Sequence, residues 1–196
     1  MIAASFFFKE FTDPIEVTIQ PTTDLRQSFV NAAGARNYGA ELEFRRNLSF
    51  IHPRLRTFGL QTNFTFVESN VEIPDDQALL LTSRSRPLLG QSRFIYNIIT
   101  DWAKPRWRSS ARFSANSVSR RITDVGSVGL PDIYQERNTF LDFVYQFDVR
   151  EDGKLSLRFT AENLLDNRYR WTQGEFVHRA FRLGRTYSFG TSFSVF

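Results

Sequence analysis

The sequence contains no cysteine. That excludes a disulfide framework and a thiolate metal site. Lysine is nearly as scarce: Lys9, Lys104 and Lys154 are the only ones. The net charge of +4 and the pI of about 9.7 therefore rest almost wholly on arginine. Those arginines are spread along the chain and form no basic block, which argues against a nucleic-acid partner. Long hydrophobic runs are missing too. Nothing approaches the roughly 18 consecutive apolar residues of a membrane-spanning helix. The opening Met1-Ile-Ala-Ala-Ser-Phe-Phe-Phe is too short for a secretory signal and lacks a basic start. An exported protein needs such a signal, so the expectation is a piece of a longer protein.

Histidine occurs only at His52 and His178. A metal centre needs several convergent ligands, so no metal and no cofactor is expected. No nucleophile triad, metal-ligand spacing or phosphate-cradling glycine loop occurs either. The chain does not read as an enzyme.

What is present in excess is aromatic. Phe, Trp and Tyr make up 15% of 196 residues, with 21 Phe, while 41% of residues are hydrophobic and 23% charged. This is one folded domain rather than a disordered tail. The mean hydropathy of −0.33 taken alone would suggest a soluble protein. The dominant pattern is period two, the signature of strands. Helical spacing is confined to Asp75–Leu81, enough for one turn in a loop.

About eight strands are predicted, each with one apolar and one polar face. The first lies near Ala3–Phe11, its phase ambiguous because Phe6, Phe7 and Phe8 are consecutive. The second sets Tyr38, Ala40, Leu42 and Phe44 against Glu41, Glu43 and Arg45. The third sets Phe58, Leu60, Thr62, Phe64 and Phe66 against Gln61, Asn63 and Thr65. The fourth is less clean, setting Phe94, Tyr96, Ile98 and Trp102 against Arg93, Ile95, Asn97, Ile99 and Asp101. In the fifth, Trp107, Ala111, Phe113 and Ala115 oppose Arg108, Ser110, Arg112 and Asn116. In the sixth, Leu141, Phe143, Tyr145, Phe147 and Val149 oppose Asn138, Asp142, Gln146 and Asp148, with Phe140 and Val144 mixed in. The seventh sets Leu155, Leu157, Phe159 and Ala161 against Ser156, Arg158, Thr160 and Glu162. The last sets Tyr187, Phe189, Phe193 and Val195 against Thr186, Ser188, Gly190 and Ser192.

Most of these strands run to about 9–12 residues, close to what a tilted strand needs to cross a bilayer and longer than the usual soluble strand. The connections alternate. Short ones lie near Leu48–Arg54, Ala103–Arg106 and Arg150–Lys154, the last holding the tight-turn pair Asp152-Gly153. Long ones lie near Thr12–Gln27, Glu68–Leu89, Arg120–Glu136 and Leu164–Arg182. Short turns at one end and long loops at the other describe an outer-membrane barrel. In lipid every backbone amide needs a partner, so strands survive there only in a closed sheet. Charges such as Glu41, Glu43, Arg112, Asp142 and Arg158 would be costly in a dry sandwich core but suit a wet interior. Trp102 and Trp107, beside Lys104-Pro105, fit either an interfacial aromatic girdle or a cross-strand aromatic pair.

Three segments carry a resemblance. Asn163-Leu164-Leu165-Asp166-Asn167-Arg168-Tyr169 resembles the Asn-Leu-Phe-Asp-x-x-Tyr signature near the end of TonB-dependent outer-membrane receptors. Gly184-Arg185-Thr186-Tyr187-Ser188-Phe189-Gly190 resembles that family's final strand, which leads to a terminal aromatic, here Phe196. Asn31-Ala32-Ala33 with Tyr38-Gly39-Ala40-Glu41-Leu42-Glu43 resembles another strand of the same barrel. The resemblance implies an all-β, antiparallel transmembrane barrel. Residues 1–196 would be its C-terminal portion, about eight strands of about 22. The plug domain, TonB box and N-terminal strands are not in this sequence. It also implies TonB-energised uptake of a scarce solute such as an iron–siderophore complex across the Gram-negative outer membrane. The partners would be membrane lipid, the receptor's own plug, the TonB complex and the barrel-assembly machinery. Phe196 departs from the pattern by falling out of phase with Tyr187, Phe189 and Phe193.

Within this frame two groups of residues are candidates. Arg112, Asp142 and Arg158 share the polar face of consecutive strands and could form a charge ladder, as a plug contact, a solute path or a wall network. Trp171, Gln173, Phe176 and His178 lie in the last long loop, where barrel loops carry recognition; these aromatics could equally pack within the loop. Two alternatives stay open: a self-contained eight-stranded barrel with a structural or adhesin role, whose interior side chains would fill, and a soluble β-rich binding module.

Overall fold

Residues that alternate apolar and polar over ten or more positions can satisfy their backbone only by pairing side by side, and here they do so in one long antiparallel sheet. The computed structural model describes residues 1–24, 26–78 and 80–194, apart from the side chain of Gln77. Along the chain come β1 (Ile2–Thr12), β2 (Ile15–Ile19), β3 (Gln27–Asn31), β4 (Gly34–Asn47) and β5 (Phe58–Glu72). A single helical turn, α1 (Asp75–Ala78), lies inside the predicted Asp75–Leu81 segment. Then follow β6 (Ser85–Arg86), β7 (Phe94–Lys104), β8 (Ser109–Val118), β9 (Arg121–Asp124) and β10 (Ile133–Gln135). The chain continues through β11 (Asn138–Asp148), β12 (Leu155–Glu162), β13 (Arg168–Gln173), β14 (Phe176–Arg182) and β15 (Thr186–Phe193).

Eight of these form the wall, in the order β1-β4-β5-β7-β8-β11-β12-β15, with β6 added beside β5. They coincide with the eight predicted strands. Each wall strand pairs antiparallel with the next in sequence, so successive connections must fall at opposite ends. The short turns therefore share one end and the long loops the other.

Register fixes which side chains share a face. Phe44 pairs with Thr62, Leu42 with Phe64 and Ala40 with Phe66; Phe64 then pairs with Tyr96 and Phe58 with Trp102. On the other half, Phe113 pairs with Phe143, Tyr145 with Phe159, and Phe159 with Phe189. The predicted apolar series falls on one face throughout. Its rings touch across strands: Phe113 and Phe143 at 4.5 Å, Phe143 and Phe159 at 6.5 Å, Phe159 and Tyr187 at 6.4 Å. Such pairs add about 0.5–1.5 kcal/mol each beyond their buried area.

Among the described residues no second layer covers this face. Phe6 is 83% exposed, Phe189 70% and Phe113 47%. A contiguous apolar surface of this extent marks contact with something other than water.

The ambiguous Phe6-Phe7-Phe8 run is settled by a glycine. Ala4 pairs with Leu42, Phe6 with Ala40 and Phe8 with Tyr38, all on the apolar face, while Phe7 pairs with Gly39 on the polar one. A Cβ at Gly39 would collide with the Phe66 carbonyl oxygen and lie 2.7 Å from Phe7 Cζ. Phe7 thus packs on bare backbone, the close approach that glycine permits.

The turns hold themselves. Asn47 accepts the Ser49 N–H through Oδ1 at 2.9 Å and donates Nδ2 to the Arg56 carbonyl at 2.7 Å. Asp152 Oδ1 accepts the Lys154 N–H at 3.0 Å, with Gly153 at φ 70°. That hydrogen bond, with Arg150 nearby, holds the Asp152 carboxyl below its ordinary value. Between Lys104 and Ser109, a 3-10 turn over Pro105–Trp107 closes on Arg108 at φ 50°.

The four long connections were predicted as loops and carry more strand than expected. β2 pairs β3, and β14-β13-β10-β9 make a second, four-stranded sheet. Among the described residues a compact apolar core lies here, around Ile19, Ala32, Ala35, Val71, Ile73 and Leu81.

Candidate functional site

The segment Asn163–Tyr169 is a junction of three strands. β12 ends at Glu162, and Asn163 turns the chain with φ 54°, a conformation asparagine tolerates better than most residues. The residue is 7% exposed, and both polar atoms of its side chain are hydrogen-bonded. Nδ2 donates to the Gly184 carbonyl at 2.6 Å, and Oδ1 accepts the Asn167 N–H at 2.9 Å. Its own N–H donates to Asp142 Oδ1 at 2.8 Å. Leu164 N–H donates to the Leu141 carbonyl, also at 2.8 Å. Arg182 reaches Asp166 at 2.7 Å, and Arg185 Nε donates to the Leu164 carbonyl at 2.9 Å. One asparagine thus ties β11, the end of β12 and the start of β15 together.

Tyr169 begins a stack that stiffens the β13–β14 hairpin. It lies 5.2 Å from Phe181, 5.9 Å from Trp171 and 6.0 Å from Phe140. Of the loop candidates, Trp171 is buried in this stack at 8% exposure, with the Arg179 guanidinium 4.2 Å from its ring centre. The loop-packing reading therefore fits Trp171 better than solute contact. Gln173 donates to the Pro131 carbonyl at 3.0 Å. Phe176 is 81% exposed and His178 is exposed beside it, where the β13–β14 register shifts. These two remain accessible to a solute.

The long loops are joined to one another. Glu16 in β2 and Arg86 in β6 form an ion pair at 2.8 Å, with side chains 5% and 2% exposed. Leu81 bridges to Ser127, and β10 pairs with β13. Arg120 stands 4.0 Å over the Tyr134 ring. Burial first, then the neighbouring Asp132, pushes the Tyr134 phenol above its ordinary value. Cations beside aromatic rings can hold an anionic or ring-bearing solute. Among the described residues, no group of three His, Asp or Glu side chains could hold a metal ion.

On the wall's polar face, Arg112, Asp142 and Arg158 share a side as predicted but do not meet. Arg112 faces Val144 across β11 and Asp101 across β7. Its Nε donates to Asp101 Oδ1 at 2.6 Å, and Gln61 Nε2 donates to Asp101 Oδ2 at 3.1 Å. Asp142 faces Ser114 and serves Asn163 instead. Arg158 lies between Gln146 and Gly190 and forms no ion pair among the described residues. Among the described residues an Asp101-centred network stands in place of the ladder, with Arg158 outside it. Asp101 stood on the predicted polar face, but its pairing needed the hairpin register. Phe196 lies outside the described residues.

The whole arrangement has counterparts among known proteins. Residues 1–193 match the family model "TonB dependent receptor-like, beta-barrel". The ferric yersiniabactin uptake receptor FyuA of Yersinia pestis is 19% identical with a TM-score of 0.67, over 100% of this chain and 27% of that one. The ferric-catecholate import receptor Fiu of E. coli K12 is 18% identical with a TM-score of 0.65, over 98% and 25%. The FrpB iron transporter of Neisseria meningitidis (F3-3 variant) is 12% identical with a TM-score of 0.62, over 98% and 27%. The chain thus spans about a quarter of the length of the solved structures it matches. No curated protein matches it. The sheet, its register and the family match agree: this chain belongs to the TonB-dependent receptor-like β-barrel family.

Proposed function

We propose that residues 1–196 are the C-terminal segment of an outer-membrane receptor that imports a scarce solute such as an iron–siderophore complex, energised by TonB. The family is one of receptors and transporters rather than enzymes. Three of the solved structures it resembles are named for the transport of iron, the uptake of ferric yersiniabactin and the import of ferric catecholate. The observation that carries the reading is the wall itself. It is a single sheet with an uncovered apolar face, and among the described residues β1 pairs only with β4 and β15 only with β12. In lipid two such edges would leave rows of unpaired amides, so further strands must close the barrel. A self-contained eight-stranded barrel would need β1 to pair with β15.

In this reading the apolar face meets lipid and the polar face lines a lumen holding a plug domain. The long loops face outward and recognise the solute. The short turns face the periplasm, where the TonB complex and the barrel-assembly machinery act. Nucleic acid is not a partner.

The test is uptake of radioactive iron, presented on a panel of siderophores, by cells whose only siderophore receptor is the full-length protein. Uptake of at least one chelate, abolished when TonB is deleted, supports the proposal. TonB-independent uptake, or none with any chelate while the receptor is folded in the membrane, overturns it.

A further inference from the structure

At the short-turn end, the first two turns build a groove on the apolar face of the wall. β5 and β7 pair Phe58 with Trp102. The Pro105–Trp107 turn brings the Trp107 ring edge-on to Trp102 at 6.1 Å. The three rings line a groove of about 510 Å³, and so do Arg54, Arg56 and Lys104. Lys104 Nζ stands 3.2 Å from the Trp107 ring centre. No carboxylate lines the groove. None of these three cations forms an ion pair among the described residues.

Three uncompensated cations beside an aromatic floor, at the level where a sheet leaves the hydrocarbon, mirror the chemistry of one kind of molecule. An anionic phospholipid presents a phosphate with net negative charge just above its first acyl methylenes. Arginine matches phosphate oxygens in bidentate geometry. Tryptophan favours the headgroup level because its ring is apolar and its N–H is polar. Inorganic phosphate would satisfy the cations but leave the rings unused. A zwitterionic lipid would add its own ammonium to a site already carrying three positive charges. We propose that this groove is a binding site for an anionic glycerophospholipid. Its phosphate would lie on Arg54, Arg56 and Lys104, and its upper acyl chain on Phe58 and Trp102. The proposal rests on the reading that the apolar face meets lipid.

The test uses the full-length receptor, reconstituted in phosphatidylcholine vesicles containing a minor fraction of acyl-brominated phosphatidylglycerol or, in parallel, of acyl-brominated phosphatidylcholine. A bimane fluorophore is attached at Thr100→Cys, two residues along β7 from Trp102, or at Phe143→Cys on β11. At Phe143 both brominated lipids should quench equally. At Thr100 the phosphatidylglycerol should occupy the neighbourhood about fivefold more than chance, the equivalent of one cation's attraction to an anionic surface. R54Q/R56Q/K104Q should remove that excess while quenching at Phe143 persists, which shows the barrel is still inserted. R54K/R56K should retain it. Equal quenching by the two lipids at Thr100 in the unsubstituted groove, or an excess that survives R54Q/R56Q/K104Q, overturns the proposal. No quenching by either lipid at Phe143 overturns the lipid-facing reading itself.

Discussion

Replacing Asn163 with alanine removes two hydrogen bonds from one nearly buried side chain and leaves a strained backbone behind. The Asn167 N–H and the Gly184 carbonyl both lose their partner. A buried polar group stranded in this way costs about 1–3 kcal/mol. Alanine at φ 54° adds about 1 kcal/mol, because its Cβ crowds the following carbonyl in the left-handed region. With two groups stranded and the strain added, the expected loss is about 3–7 kcal/mol on these terms, felt where β11, β12 and β15 meet. Two further substitutions separate the contributions. Asn163→Gly keeps the backbone relaxed but loses both bonds, so it should cost less than alanine by about the strain alone. Asn163→Asp keeps the acceptor and the turn but sets a carboxylate oxygen against the Gly184 carbonyl, so it should cost more than one hydrogen bond's worth. The assay is urea unfolding of the full-length receptor in lipid vesicles, followed by tryptophan fluorescence and by the gel shift of the folded barrel. A loss under about 1 kcal/mol for Asn163→Ala, or glycine and alanine costing the same, would refute the account of this junction.

Asp142→Ala strands the Asn163 N–H that Asp142 accepts at 2.8 Å. It should lower stability by about 1–3 kcal/mol and alter plug retention or permeability through the same junction; unchanged stability and permeability would end that idea. Deleting the β13–β14 tip around Phe176 and His178 should reduce solute uptake with little change in unfolding of the wall, since Phe176 is largely exposed; full uptake after deletion would count against loop recognition. Tyr134 is held protonated by burial and Asp132. Because its folded value is raised, its contribution to loop stability should be intact below the ordinary tyrosine range and fade as pH climbs through the raised value. Ultraviolet titration of the receptor against Tyr134→Phe should show one phenol ionising later than the rest, and its absence from the difference curve would contradict the burial described.

The wall was legible because its signal is local and repeated. Period-two alternation over 8 to 15 residues fixes both strand and face, and one slip would turn every ring to the wrong side. The phase of Phe6–Phe8 was not legible, since it depends on Gly39 in the neighbouring strand. The pairing of Arg112 with Asp101 follows only once the Pro105–Trp107 turn fixes the register at Lys104 with Ser109. The loop strands were missed for a different reason. β6, β9 and β10 run to 2, 4 and 3 residues, too few for any alternation to register. They are held by partners distant in sequence, such as Glu16 and Arg86. Tyr169, the last residue of the same motif, stacks on Phe181 and lies beside Phe140, contacts that its spelling alone does not give. The motif's most consequential residue, Asn163, was visible only as a spelling until its hydrogen bonds were seen.

The claim that supports the rest is that side chains on the wall meet lipid and a wet lumen in strict alternation. Nitroxide labels placed singly from Thr139 to Asp148 along β11, and at Phe159 and Phe189, in the reconstituted full-length receptor read this directly. Odd positions on β11, with Phe159 and Phe189, should collide with oxygen dissolved in the bilayer, and even positions on β11 with a water-soluble nickel complex. If Phe143, Phe159 and Phe189 were shielded from both reagents, the face would be covered by another layer of protein and the barrel account would be wrong.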